Sequence, residues 1–249
     1  ADTLEQRLAG ALAQAEGGAW FVDAGCGSGE LIAILAGRYP QLNFIGLDFT
    51  DSVYAAADRS DLPPNLFYVQ GDVAHAPFKA SSLAGVSSFG VLHHTADTGG
   101  AFRAIAGCVR PGGTLAIWLY PNPRDLHLAP TASRWAYRAY YWTRDFMFLG
   151  RAHHLPSELL LWVLRVLLAP AILMPIGRVT EHSDGRPMST YHSLVFSLFD
   201  GLVPEYQDRP LRSTVRSWFE ELGYDSLALG PTDHPVSHTL GSYTGQRSL

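Results

Sequence analysis

The run Val22-Asp23-Ala24-Gly25-Cys26-Gly27-Ser28-Gly29-Glu30 constrains the fold more than any other stretch of this sequence. An apolar strand, Trp20 to Ala24, meets a turn with glycine at alternate positions. The apolar residues Leu31-Ile32-Ala33-Ile34-Leu35 then open a helix at once. Glycine in such a turn admits positive φ and lets another molecule lie against the main chain. The helix behind it directs N–H groups and the positive end of its dipole at the same spot. Strand, side-chain-free turn and helix in that order predict a nucleotide-type pocket at the carboxyl end of the strand.

The spacing narrows the kind of nucleotide. A dinucleotide fingerprint reads G-x-G-x-x-G/A, its third small residue allowing close helix packing while the pyrophosphate sits on the helix N-terminus. Glu30 holds that third place here, and a carboxylate there repels a pyrophosphate. Asp23, just before the turn, suits a ligand carrying positive charge. A second strand, Asn43 to Leu47, ends in Asp48 about twenty residues past the glycines, where an acid can accept both ribose hydroxyls. Phe49 beside it is placed to lie against a base. A third strand, Leu66 to Gln70, runs into Gly71-Asp72-Val73. A fourth apolar stretch, Gly85 to Leu92, leads to His93-His94-Thr95. A helix over Thr98 to Val109, a turn at Arg110-Pro111-Gly112-Gly113 and a fifth strand, Thr114 to Tyr120, follow.

With acid-x-Gly-x-Gly-x-Gly at Asp23 to Gly29 and these strand ends in order, Trp20 to Tyr120 resembles the class I S-adenosylmethionine-dependent methyltransferases. The resemblance implies that S-adenosylmethionine is the cofactor and S-adenosylhomocysteine the product. It implies that Gly71, Asp72 and Val73 supply the carboxylate and N–H that read adenine. Asp23, Gly25, Cys26, Gly27, Gly29, Asp48, Phe49 and Phe89 complete the expected cofactor contacts. Each acid has a plainer reading beside this one. Asp48 could cap the next helix, Asp72 could be a turn residue, and Glu30 could only favour the helix dipole. Asp23 could organise the turn instead of meeting the methionine ammonium.

A sulfonium activates its own methyl group, so the protein's task is to align a nucleophile behind that carbon. An acceptor hydroxyl, ammonium or acidic carbon also needs a base. His93 and His94 stand at the rim where the methyl should point, and histidine titrates in the useful range. His94 is the favoured base, with His93 turned toward the core, and Tyr120 is placed to orient the acceptor; pocket shaping and ordinary packing are the alternatives. Metal assistance needs clustered oxygen ligands, and no acid follows the fourth strand until Asp97, so no metal is expected. The Asn/Asp-Pro-Pro-aromatic tetrapeptide of amino-directed nucleic-acid methyltransferases is also missing at Phe89-Gly90-Val91-Leu92.

Charge agrees with that exclusion. A net charge of -5 gives no electrostatic footprint for nucleic acid. Two cysteines make neither a disulfide framework nor a thiolate metal site. Residues 1–18 read as an amphipathic helix with Leu4, Leu8 and Leu12 on one stripe, no secretory signal is visible, and a cytoplasmic protein is expected.

Alternating strands and helices predict an α/β fold, a Rossmann-like doubly wound sheet. The resemblance makes it mostly parallel and seven-stranded, its last strand antiparallel, with an α-helical insertion between strand 5 and the last helix. Residues 1–120 form the cofactor-binding core, 121–210 the helical cap, and 211–249 the completing helix (Leu211 to Leu222) and strands (Tyr224 to Leu229, Ser237 to Thr244). In the cap, Arg134, Arg138 and Tyr141 would share one helix face. They, with Tyr191 and His192, are the candidate acceptor contacts; packing and solvation are the alternative. The run 159–174 is apolar almost all round. Burial in the cap or a homodimer contact is its first reading, an apolar substrate lining or interfacial membrane contact its second. These readings converge on methyl transfer to O, N or C of a small molecule, with secondary metabolism the analogy. The rivals are a non-catalytic cofactor-binding partner or regulatory subunit and an NAD-dependent oxidoreductase, which Glu30 opposes.

Overall fold

The computed structural model describes residues 8, 10–128, 142, 145, 156–163, 166, 204–229 and 242–248. A short helix at residues 10–14 (α1) precedes β1 (Trp20–Ala24), α2 (Glu30–Arg38), β2 (Asn43–Asp48), α3 (Ser52–Ala57) and β3 (Leu66–Gln70). Next come β4 (Leu83–Phe89), α4 (Thr98–Cys108) and β5 (Val109–Trp118). After α5 (Ser157–Val163) the chain returns through α6 (Arg212–Glu221), β6 (Tyr224–Leu229) and β7 (Ser242–Arg247). The seven strands form one sheet in the order β3-β2-β1-β4-β5-β7-β6. β1 to β5 run parallel, and β7 lies antiparallel between β5 and β6. Strand order reverses between β1 and β4, which puts the crevice for a ligand at their carboxyl ends.

Apolar side chains cover both faces of the sheet. One layer packs Leu8, Leu12, Ile32 and Leu35 onto Phe21, Phe44 and Ala116. The other packs Phe102, Ile105, Val215 and Phe219 onto Val22, Val86, Leu115 and Ile117. Alternate residues of each buried strand thus feed opposite cores.

Three expected boundaries move. β4 ends at Phe89 rather than Leu92, because Gly90 adopts φ 77° and Leu92–His94 winds into a 3-10 turn. The expected turn at Arg110–Gly113 is a bulge inside β5: pairing passes from Leu83–Val109 directly to Gly85–Thr114, and Gly112 supplies the left-handed residue. Tyr120 consequently lies two residues beyond the strand, which ends at Trp118. β7 runs Ser242–Arg247, whereas the sequence reading ended that strand at Thr244; residues 237–241 of the expected strand lie outside the described residues.

The insertion is tied shut at its base. Asn122 Nδ2 donates to the Arg209 carbonyl, and Arg212 N–H donates to Asp125 Oδ2 at 2.9 Å. Arg209 also makes a two-pronged ion pair with Asp145. Of the apolar run, Leu159, Trp162 and Val166 are 46, 56 and 50% exposed. Burial within the insertion does not hold for these three, and Leu159 and Trp162, three apart on α5, share one face. Among the described residues no helix is long and apolar enough to cross a membrane.

Candidate functional site

The glycine turn is held from several sides. Gly25 and Cys26 N–H both donate to the Leu47 carbonyl, at 2.7 and 3.0 Å, and Gly29 N–H donates to the Cys26 carbonyl at 2.9 Å. All three glycines have positive φ, but only one faces open space. A Cβ on Gly25 would stand 2.1 Å from Val91, and one on Gly29 2.3 Å from the Tyr68 hydroxyl, whereas one on Gly27 meets nothing within 4 Å. Gly27 is therefore the cradle, and its neighbours are glycine because protein atoms already fill their flanks.

Asp48 faces that cradle. Its Oδ2 accepts the Gly27 N–H at 2.8 Å, and its Oδ1 accepts from Thr50 N–H and Oγ1 at 2.9 and 2.7 Å. It does not cap α3, whose N-cap residue is Asp51. Asp23 lies beneath the turn, buried, accepting the Ser87 hydroxyl at 2.8 Å. Burial first, with the nearby Asp48 charge adding, pushes its carboxyl up to about 6 against the Ser87 hydrogen bond. Two carboxylates this close in a low dielectric suit a cationic ligand. Cys26 sets its thiol against Gly46 and donates weakly to the Gly27 carbonyl at 3.8 Å. Burial and the two carboxylates push that thiol up to about 12, so it stays protonated and unreactive.

Beyond Asp48 an open groove of about 670 Å³ is lined by Phe49, Thr50, Asp51, Gln70, Gly71 and Asp72. Phe49 is 73% exposed there, an aromatic face without cover. Asp72 caps the Val73–His75 turn through the Ala74 N–H at 2.8 Å and meets His75 Nδ1 at 3.0 Å, and these bonds hold its carboxyl below the usual range. Gly71 N–H donates to the Asp48 carbonyl. Val73 is buried in the core, and Phe89 packs partly buried on the opposite cluster. Glu30 opens α2 and lines a separate outer groove with Ser28 and Arg59, which favours its helix-dipole reading.

At the ends of β4 and β5 four rings come together. His93 and Tyr120 meet tilted at 34° with centroids 3.9 Å apart, His94 lies 4.2 Å from His93, and Trp118 flanks Tyr120 at 5.4 Å. His93 is fully buried; its Nδ1 accepts the Tyr120 N–H at 3.4 Å, so the neutral ring carries its proton on Nε2. His94 is the opposite tautomer. Its Nδ1 faces the Tyr206 carbonyl at 3.0 Å and must donate, which leaves the lone pair of the neutral ring on Nε2. The structure brings His93, His94 and Tyr120 into one cluster. Arg134, Arg138, Tyr141, Tyr191 and His192 lie outside the described residues. Tyr206 and Asp208, whose N–H donates to the His93 carbonyl, escaped sequence reasoning. Nothing local in the sequence marks a contact across so many residues.

A parallel sheet closed by an antiparallel β7, with the acid-flanked glycine turn at its switch point, defines a class I methyltransferase domain. Residues 22–117 match the family described as methyltransferase domain, so this segment is a domain of the class I S-adenosylmethionine-dependent methyltransferase type. It is 36% identical over 122 residues to trans-aconitate 2-methyltransferase of Acidovorax sp. (strain JS42), covering 47% of this chain and 46% of that protein. It is 34% identical over 109 residues to 2-phytyl-1,4-naphtoquinone methyltransferase of Thermosynechococcus vestitus, covering 43 and 48%. The chain thus spans about half the length of the relatives it matches. Its fold is also that of the CurJ carbon methyltransferase, with a TM-score of 0.58 at 14% identity over 99% of this chain and 54% of that one.

Proposed function

We propose that this protein binds S-adenosylmethionine across the glycine turn and transfers its methyl group to O, N or C of a small-molecule acceptor. The observation that carries this reading is the cradle at Gly27: a Cβ-free opening whose N–H fixes Asp48, with buried Asp23 below and the groove beside Phe49 continuing from it. A ribose would take Asp48, a base would lie on Phe49 near Asp72, and the methionine end would run along the turn over Asp23. The bound cofactor supplies an electrophilic methyl carbon on sulfur. The residues of this chain supply the rest. The glycine turn fixes the cofactor, and the buried ring cluster excludes water from one side of the acceptor space. His94, with its tautomer set by Tyr206, takes the acceptor's proton at Nε2 while Tyr120 orients the acceptor. Two relatives named for trans-aconitate and for a naphthoquinone support a small organic acceptor.

Calorimetry with S-adenosylhomocysteine tests the cofactor half. A screen of organic acids, phenols and quinols for released S-adenosylhomocysteine tests the other half. Once an acceptor is found, His94→Ala should cut turnover by about 100-fold or more while leaving cofactor affinity intact. Normal turnover in that variant removes the base, and an absence of cofactor binding removes the whole reading.

A further inference from the structure

β3 brings two side chains to the backs of the two loops that would hold the cofactor. Tyr68 and Gln70 are two residues apart, so they share one face of the strand. Tyr68 pairs with Gly46 on β2 and lies flat across it: a Cβ there would come within 2.7 Å of the ring. Its hydroxyl reaches the turn after β1 and donates to the Gly29 carbonyl at 3.1 Å. The same carbonyl accepts the Ala33 N–H of α2, so Tyr68 grips the joint between turn and helix. Two glycines far apart in the chain, Gly29 and Gly46, are thus both shaped to this one ring. Gln70 does the corresponding work on the loop after β2. Its Nε2 donates to the Phe49 carbonyl at 3.3 Å and to Asp51 Oδ1 at 2.9 Å, and its Oε1 accepts the Tyr54 hydroxyl at 2.7 Å.

We infer that Tyr68 and Gln70 are positioning residues of the cofactor site, Tyr68 setting the glycine turn and Gln70 the loop that carries Phe49. This rests on the reading of the site given above. Burial raises the Tyr68 phenol further above neutrality, so it remains a donor throughout the working range. The division of labour follows from where each loop meets the cofactor: the turn runs along the methionine end, and the Phe49 loop meets the base.

Two ligands separate the two roles. S-adenosylhomocysteine spans both loops, whereas 5′-methylthioadenosine lacks the amino-acid arm. Tyr68→Phe keeps the ring and loses one hydrogen bond, so S-adenosylhomocysteine should bind about fivefold more weakly, with 5′-methylthioadenosine and the melting temperature nearly unchanged. Gln70→Leu should weaken both ligands alike. A purely structural tyrosine would lower the melting temperature or affect both ligands in proportion. Either of those results in Tyr68→Phe, or wild-type S-adenosylhomocysteine affinity there, overturns the Tyr68 assignment, and wild-type 5′-methylthioadenosine affinity in Gln70→Leu overturns the Gln70 assignment. Failure of the wild-type protein to bind S-adenosylhomocysteine overturns the cofactor reading itself.

Discussion

Asp23 and Asp48 lie in the last two residues of neighbouring parallel strands, and each meets the turn differently. Asp48 is held by three hydrogen bonds and stays half-exposed, while Asp23 is buried with the Ser87 hydroxyl as its partner. The folded-state value for Asp23, about 6, lies above its ordinary 3.8, so the folded protein holds this proton more tightly than the unfolded chain does. Its contribution to stability is therefore complete below pH 4 and is lost as pH rises through 6, a cost of at most about 3 kcal/mol at neutral pH. Asp23→Asn removes that cost. Its melting temperature should exceed wild type at pH 7.5 and converge with it near pH 4, while S-adenosylhomocysteine affinity at pH 7.5 falls. A variant less stable at pH 7.5, or one binding as tightly, contradicts the assignment of this buried charge to a cationic ligand. Gly27 makes a steric prediction. At φ 54° any side chain adds strain of about 1 kcal/mol. The open space above it means that Gly27→Ala should fold and bind more weakly, and Gly27→Val should fold and bind S-adenosylhomocysteine not at all, as calorimetry would report.

Among the elements, α4 and α6 brace the sheet behind the site. Phe102 and Phe219 are fully buried with ring centroids 4.9 Å apart, and Tyr224 packs on Phe219 and donates its hydroxyl to the Ala106 carbonyl at 2.8 Å. Phe102→Ala should cost about 3–5 kcal/mol in denaturant unfolding, since this layer has no room to collapse. A loss under 1 kcal/mol would mean that the packing is looser than described. These elements also show what a sequence can announce. β1 and β3 were legible from end to end, because short apolar runs bounded by glycine, asparagine or acid carry their own limits. The β5 bulge was not, since Pro111-Gly112-Gly113 reads locally as a turn and only pairing with β4 keeps it in the sheet. The acids proposed to meet the cofactor stood out by spacing from the glycines. Tyr68 did not, because its role depends on facing Gly46 across a strand pair and on reaching Gly29 one strand further.

At the scale of the whole molecule the chain leaves the sheet after β5 and returns before α6, and one strap governs the return. Residues 206–212 run past His94 and His93, take Asn122 and Asp125 on one side, and hold Asp145 of the insertion through Arg209. The cradle at Gly27 and the groove at Phe49 are assembled wholly from segments that precede the insertion, and no described contact joins them to the strap. Cofactor grip and insertion anchoring should therefore be separable. Asp145→Asn keeps the shape of the side chain but leaves Arg209, which is 14% exposed, facing a neutral amide. With Asp145 itself 46% exposed, solvent moderates the loss to about 1–2 kcal/mol. For a chain of 249 residues that corresponds to roughly 2–8 °C in melting temperature. Proteolysis beside Asp145 and Arg209 should accelerate, while S-adenosylhomocysteine affinity stays within about twofold of wild type because the contacts proposed for it all precede the insertion. If Asp145→Asn weakens that affinity as much as a change at Gly27 does, the cofactor site reaches into the insertion, and the division between sheet and strap is wrong.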